Sequence, residues 1–206
     1  LPGYTVKEGV RSAAFIKIVI CTFIYNLFNM AMIVHLVPIL GSVGLTRNAS
    51  VWVFSLLGFS MSAGNIAGGL LTDRVPAKLL AACLIALPAL SCLLLLEPTG
   101  SVLQRAIAVN IFGLAFGAQA PASIYVATRY LGLRNFGTLF GFIMSAVAVP
   151  TSIAPLLAGL LYDWTGSYVA FLTIGIPLTL TAALVLASLG RYPDFETTHS
   201  DRVIAA

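Results

Sequence analysis

Six long apolar runs, divided by short polar breaks, make up most of this chain. The first extends from about Ala13 to Leu40 and ends at Gly41-Ser42-Val43-Gly44. Asn48-Ala49-Ser50 offers capping side chains for the second, from about Val51 to Leu71. A polar loop from Thr72 to Lys78 leads to the third, about Leu79 to Leu96, which stops at Glu97-Pro98-Thr99-Gly100. The fourth covers about Val102 to Thr128, the fifth about Gly137 to Tyr162 and the sixth about Tyr168 to Leu189. Arg129 to Asn135 and Asp163-Trp164-Thr165-Gly166 separate them. Each run approaches the roughly 20 apolar residues that carry a helix across a bilayer. Barrel strands would need only about ten residues with strict alternation, whereas these runs are apolar on every side. The pattern predicts an all-α polytopic membrane protein with six transmembrane helices forming one bundle over 13–190. Residues 1–12 read as a cytoplasmic linker and 191–206 as a cytoplasmic tail.

Composition removes the water-soluble alternatives. Of 206 residues, 59% are hydrophobic and 9% charged, against about 25% charged in soluble domains. So few charges cannot cover a globule of this size in water, but they suffice where lipid covers the perimeter. Cys21, Cys83 and Cys92 lie in apolar stretches without C-x-x-C spacing, which predicts no metal and no cofactor. The net charge of +4 comes without basic runs, so no nucleic-acid partner is expected. Of the 11 lysines and arginines, all except Arg47 and Arg105 fall on one side of the six spans. By the positive-inside rule that side is cytoplasmic, and both termini lie there.

Polar and small residues inside the spans supply the candidate chemistry. In the second span Ser55, Gly58, Ser62, Asn65 and Gly69 form one stripe, and Ser60, Gly64 and Gly68 fall on the opposite face. Gly113 and Gly117, and Gly137, Gly141 and Ser145, repeat the small-residue spacing in the fourth and fifth spans. Such spacing lets helices approach closely in lipid. Thr22, Asn26 and Asn29 line one face of the first span; Asn110 and Gln119 lie on different faces of the fourth. Asn26, Asn29, Asn65, Asn110 and Gln119 are therefore candidates for interhelical hydrogen bonds or for contact with a solute. His35 is the one histidine at membrane depth, on the face opposite Asn26, and is a candidate for proton coupling. No Asp, Glu, Lys or Arg stands in the middle of a span. No Ser–His pairing or paired aspartates lie at membrane depth either, so no enzymatic activity is expected.

The loop Gly69-Leu70-Leu71-Thr72-Asp73-Arg74-Val75-Pro76-Ala77-Lys78 resembles the G-x-x-x-D-R-x-G-R-[RK] loop of the major facilitator superfamily. Gly69, Asp73, Arg74 and Lys78 match, while Pro76 and Ala77 replace Gly and Arg. The opening segment Gly3 to Arg11 resembles the central linker of such transporters. His35-Leu36-Val37-Pro38 resembles the end of the seventh helix in the monocarboxylate-transporter-like branch. Tyr130 to Gly137 and Pro155 to Tyr168 resemble the later helix ends. The resemblance implies the C-terminal six-helix half of an alternating-access carrier for a small organic solute, with monocarboxylates among the candidates. It implies a multi-pass protein of the plasma membrane and an N-terminal six-helix half encoded upstream, ending near Leu1. Gly69, Asp73, Arg74 and Lys78 would lock one conformation against that half. A non-transporting membrane subunit or a truncated transporter remnant is the alternative.

Overall fold

Four hydroxyl side chains set helix starts along the chain. In the computed structural model, which describes residues 3–190 and 192–193, Thr5, Ser12, Thr46 and Ser101 each accept a hydrogen bond from a backbone N–H three residues on. Seven helices result: α1 (Val6–Arg11), α2 (Ala13–Ser42), α3 (Arg47–Thr72), α4 (Ala77–Leu96), α5 (Val102–Leu131), α6 (Phe136–Thr165) and α7 (Val169–Ala187). The last six are long and apolar enough to cross a membrane. Of the predicted tail only Tyr192 and Pro193 are described; Arg191 and Arg202 lie outside the described residues, as does Leu1.

One local reading is corrected. The second span starts earlier, because Thr46 caps it through the Ala49 N–H. Asn48 and Ser50 then lie inside the first turn. Within the predicted linker, Thr5 and Glu8 form a reciprocal capping box that starts α1. Tyr4 N–H donates to Leu131 O at 3.1 Å, and Asn135 Nδ2 donates to Tyr4 O at 3.1 Å. These bonds hold the segment against the α5–α6 turn, and Gly9 packs on Leu139.

Successive long helices run in alternating directions, with α1 and the end of α7 at one pole of the bundle. The core divides into two layers along the helix axes. The layer nearer the termini joins Phe15 to Tyr25 of α2 with Leu80 to Ile85 of α4, Ala118 to Leu131 of α5 and Ala182 to Leu189. The far layer joins Phe28 to Leu40 with Cys92, Leu95, Ala108 to Phe112 and Phe171. Between the two layers along their helices fall small residues and prolines, Pro88, Gly113, Gly117, Pro150 and Gly175.

Helices α3 and α5 run parallel and pack through small residues. A Cβ built on Gly64 or Gly117 would run into the backbone of Leu114 or Met61 on the facing helix. Only Gly permits that approach, and van der Waals contact between backbones is what holds helices together in lipid.

The burial is uneven. Within their most apolar windows, 56% of residues are buried in α4 but 28% in α3 and 22% in α6. Helices α3 and α6 therefore carry the open faces.

Candidate functional site

The polar side chains of the spans divide into two groups. Most bond inward. Asn26 Nδ2 donates to Thr22 O at 2.8 Å, and Asn29 Nδ2 to Tyr25 O at 2.6 Å, so both amides are bonded one turn back on α2. Asn26 is half-buried and Asn29 wholly buried. Asn29 Oδ1 and the Tyr25 hydroxyl have no hydrogen-bond partner among the described residues. Asn110 Oδ1 accepts from Ser60 Oγ, and its Nδ2 donates to Ala106 O at 2.8 Å, which ties α5 to α3. Gln119 Nε2 donates to Ser123 Oγ at 3.1 Å on its own helix.

The other group faces out of the bundle. Ser55, Gly58, Ser62 and Asn65 are exposed and Gly69 half-exposed, while Ser60, Gly64 and Gly68 on the opposite face are buried against α5. The exposed surface of α3 is itself divided: Trp52, Phe59, Ile66 and Leu70 form an apolar flank beside this polar one. Helix α6 repeats the arrangement. Gly137, Gly141, Ser145, Ala148 and Ser152 form an open stripe beside Phe142, Val149 and Leu156. A Cβ on Gly137 or Gly141 would meet nothing. The apolar flanks suit lipid. The small-polar flanks do not need lipid and fit a second protein surface or a wet path.

At the termini pole, Asp73 is the C-terminal cap residue of α3 and is exposed beside Arg74. A carboxylate at a helix C-terminus opposes the helix dipole, so α3 itself gains nothing from it. Lys78 reaches Leu189 O at 3.5 Å, and Lys17 Nζ donates to Ser188 O at 2.9 Å. Both cations satisfy carbonyls at the end of α7.

His35 is enclosed on both ring nitrogens. Nε2 lies 3.0 Å from Pro155 O and Nδ1 2.9 Å from the Tyr168 hydroxyl. A carbonyl can only accept, so Nε2 carries the proton and Nδ1 accepts from Tyr168. Burial first, then Tyr162 and Asp163, raises the Tyr168 phenol above its ordinary range and keeps it a donor. The ring thus fastens α2 to α6 and to the start of α7.

Arg105, counted with Arg47 as one of the two far-side charges, lies in the first turn of α5 with its side chain wholly buried. Its Nη1 donates to Leu94 O at 2.8 Å and Leu95 O at 2.6 Å, and Nη2 to Glu97 O. These carbonyls close the C-terminal end of α4, where Leu94 O also accepts from Gln104 Nε2 at 3.2 Å and Glu97 O from the Gly100 N–H at 3.3 Å. The signal in the sequence was a lone arginine four residues after Ser101, beside a helix that ends without a cap of its own.

The six long apolar helices and the open flanks describe a membrane bundle. The family model of the Major Facilitator Superfamily matches residues 18–202. The chain belongs to the Major Facilitator Superfamily. Human monocarboxylate transporter 12 is 32% identical over 167 residues, 75% of this chain and 31% of that protein. Monocarboxylate transporter 13 of Bos taurus is 22% identical and is matched over 93% of this chain and 45% of its own length. The matches thus cover 31% and 45% of these two relatives' lengths. The fucose:proton symporter of E. coli superposes with a TM-score of 0.72 at 15% identity, over 90% of this chain and 45% of that one. A structure from work on proton-dependent oligopeptide transporters gives 0.70 at 14%, over 93% and 46%. At these identities the likeness concerns the fold alone, and it covers less than half of each of those chains.

Proposed function

We propose that this chain is the C-terminal six-helix half of a secondary transporter, which moves a small organic solute by alternating access. The observation that carries this reading is the pair of open small-polar flanks on α3 and α6 in a superfamily bundle. A second six-helix bundle, encoded upstream, covers part of those flanks and leaves a path between the halves. Relatives that extend well beyond the matched region support it.

In this reading Asn65 faces the path directly, Asn26 and Asn110 from half-buried positions. Asn29 and Gln119, also sequence candidates, point into the bundle. Gly69, Asp73, Arg74 and Lys78 form the conformational lock, with Asp73 meeting the positive end of a helix in the other half. His35 is the candidate for proton coupling, through its Nδ1 contact with Tyr168. The termini pole faces the cytoplasm and the protein resides in the plasma membrane.

Small monocarboxylates are the first solutes to test, because the relatives carry that word in their names. Arg105 is the buried cation of this half, but its guanidinium is occupied by α4. A positive partner for a carboxylate therefore comes from the other half.

Uptake of labelled monocarboxylates and neutral amino acids by the full-length gene product in liposomes tests the reading. Saturable uptake that needs both halves is expected. Uptake by the six-helix chain alone would point instead to a carrier built from two identical copies. Impermeant labelling of single cysteines at Arg74 and Thr99 in intact cells tests the orientation. Label is expected at Thr99 only.

A further inference from the structure

The core layer near the termini contains a small cavity walled by α2, α4, α5, α6 and α7. Six of its nine lining residues are apolar; the others are Thr22, Gln119 and Ser123. It leaves about 10 Å³ for the centre of a water-sized sphere, close to the minimum of about 10–15 Å³ that one water requires. Gln119 is 9% exposed, and its Oε1 has no hydrogen-bond partner among the described residues. Its amide is oriented by the bond from Nε2 to Ser123 Oγ. If the amide were reversed, the nitrogen would be the atom left without a partner, so the deficit exists in either orientation.

We propose that this cavity binds one ordered water molecule, bridging Gln119 and Ser123 on α5 to Thr22 on α2. The water donates to Gln119 Oε1 and accepts from the hydroxyl of Thr22 or Ser123. That supplies the two to four polar partners that hold a buried water in place. A dry cavity leaves a buried amide oxygen unpaired at membrane depth, which is costly. A cation fits worse, because the three oxygens are neutral and no carboxylate lines the site. Gln119 then acts as a positioning residue, joining two helices through the water.

The test uses Thr22→Val and Gln119→Met in the full-length protein, with the thermal midpoint measured in detergent. Each single variant is expected to lower the midpoint, and the double variant no further than the worse single one, because both act through the same water. Thr22→Ser keeps the donor and is expected to melt like the parent. Additive losses, or a Thr22→Ser variant as damaged as Thr22→Val, would overturn the bridge. A density map that resolves waters should show one peak within hydrogen-bond distance of Gln119 and Thr22, and a dry cavity there refutes the proposal. Stabilisation by sodium over choline that disappears in Thr22→Val would also overturn it, in favour of a cation.

Discussion

Helix α5 and helix α6 carry the same small-residue spacing and use it in opposite ways. Gly113 and Gly117 are filled by the backbone and side chains of α3, so closely that a single added carbon has no room. Gly137 and Gly141 face open space. The difference is not in the glycines. Beside Gly113 and Gly117 stand Asn110, bonded to Ser60, and the matching stripe Ser60, Gly64, Gly68 on a parallel helix. No second small-residue stripe of this chain is brought to α6. A stripe with its complement inside the chain builds the bundle; a stripe without one is a surface kept for something else.

The largest expected effect breaks the first half of that comparison. Gly117→Leu must displace the Met61 backbone, and overpacking of this kind costs about 1–3 kcal/mol or more. Loss of monodisperse protein on size exclusion is the expected result. Gly141→Leu should leave the yield near normal. Equal damage from both substitutions would mean that the two stripes are not different in kind.

Much of the bundle could be read along the chain because lipid leaves few alternatives. A span must satisfy its own backbone, so apolar length alone predicted the six helices. The two faces of α3 were also legible, since glycine and serine at helical spacing fix which residues share a side. Which face would be buried was not. That depends on α5 offering a complement, a contact between helices separated by a whole span. Arg105 was hidden for a related reason. Charge counting treats an arginine as a marker of sidedness, and nothing local says that the end of α4 folds back beside it. Gln119 and Asn29 were read as candidates either for interhelical hydrogen bonds or for contact with a solute, because polarity alone does not reveal which way a side chain points.

Next in size is the effect of covering the open stripe. Gly141→Leu, neutral for folding, is expected to cut solute uptake by more than about tenfold, equivalent to about 1.4 kcal/mol lost where the halves meet. Uptake by reconstituted protein at matched amounts measures it. Unchanged uptake would assign the α6 stripe to lipid.

A smaller effect is expected at Asp73, which is exposed at the end of the same α3 whose buried face forms the seam. Asp73→Asn removes charge without changing shape. A carboxylate interacting with a helix end is worth about 0.3–1 kcal/mol, so exchange should slow by roughly two- to fivefold while abundance stays normal. Exchange at the parental rate would leave Asp73 as a solvated loop residue.

The smallest expected effect asks whether the seam is held by packing or by its hydrogen bond. Ser60 Oγ contacts both Leu56 O, at 2.9 Å, and Asn110 Oδ1, yet it has a single proton to donate. The bond to Asn110 therefore competes with one inside α3, and losing it returns little. Measured interhelical hydrogen bonds in membranes average about 0.6 kcal/mol, for the same reason that alternative partners are near. Ser60→Ala keeps the Cβ that abuts Gly113, so the close approach of the helices survives. The expected outcome is a slight fall in the thermal midpoint in detergent, far less than Gly117→Leu produces. A double variant with Asn110→Ala should then add a coupling of about 0.6 kcal/mol. If Ser60→Ala instead proved as damaging as Gly117→Leu, the seam would rest on its polar bond. The glycines of α5 would then have no better claim to a structural role than the open ones of α6.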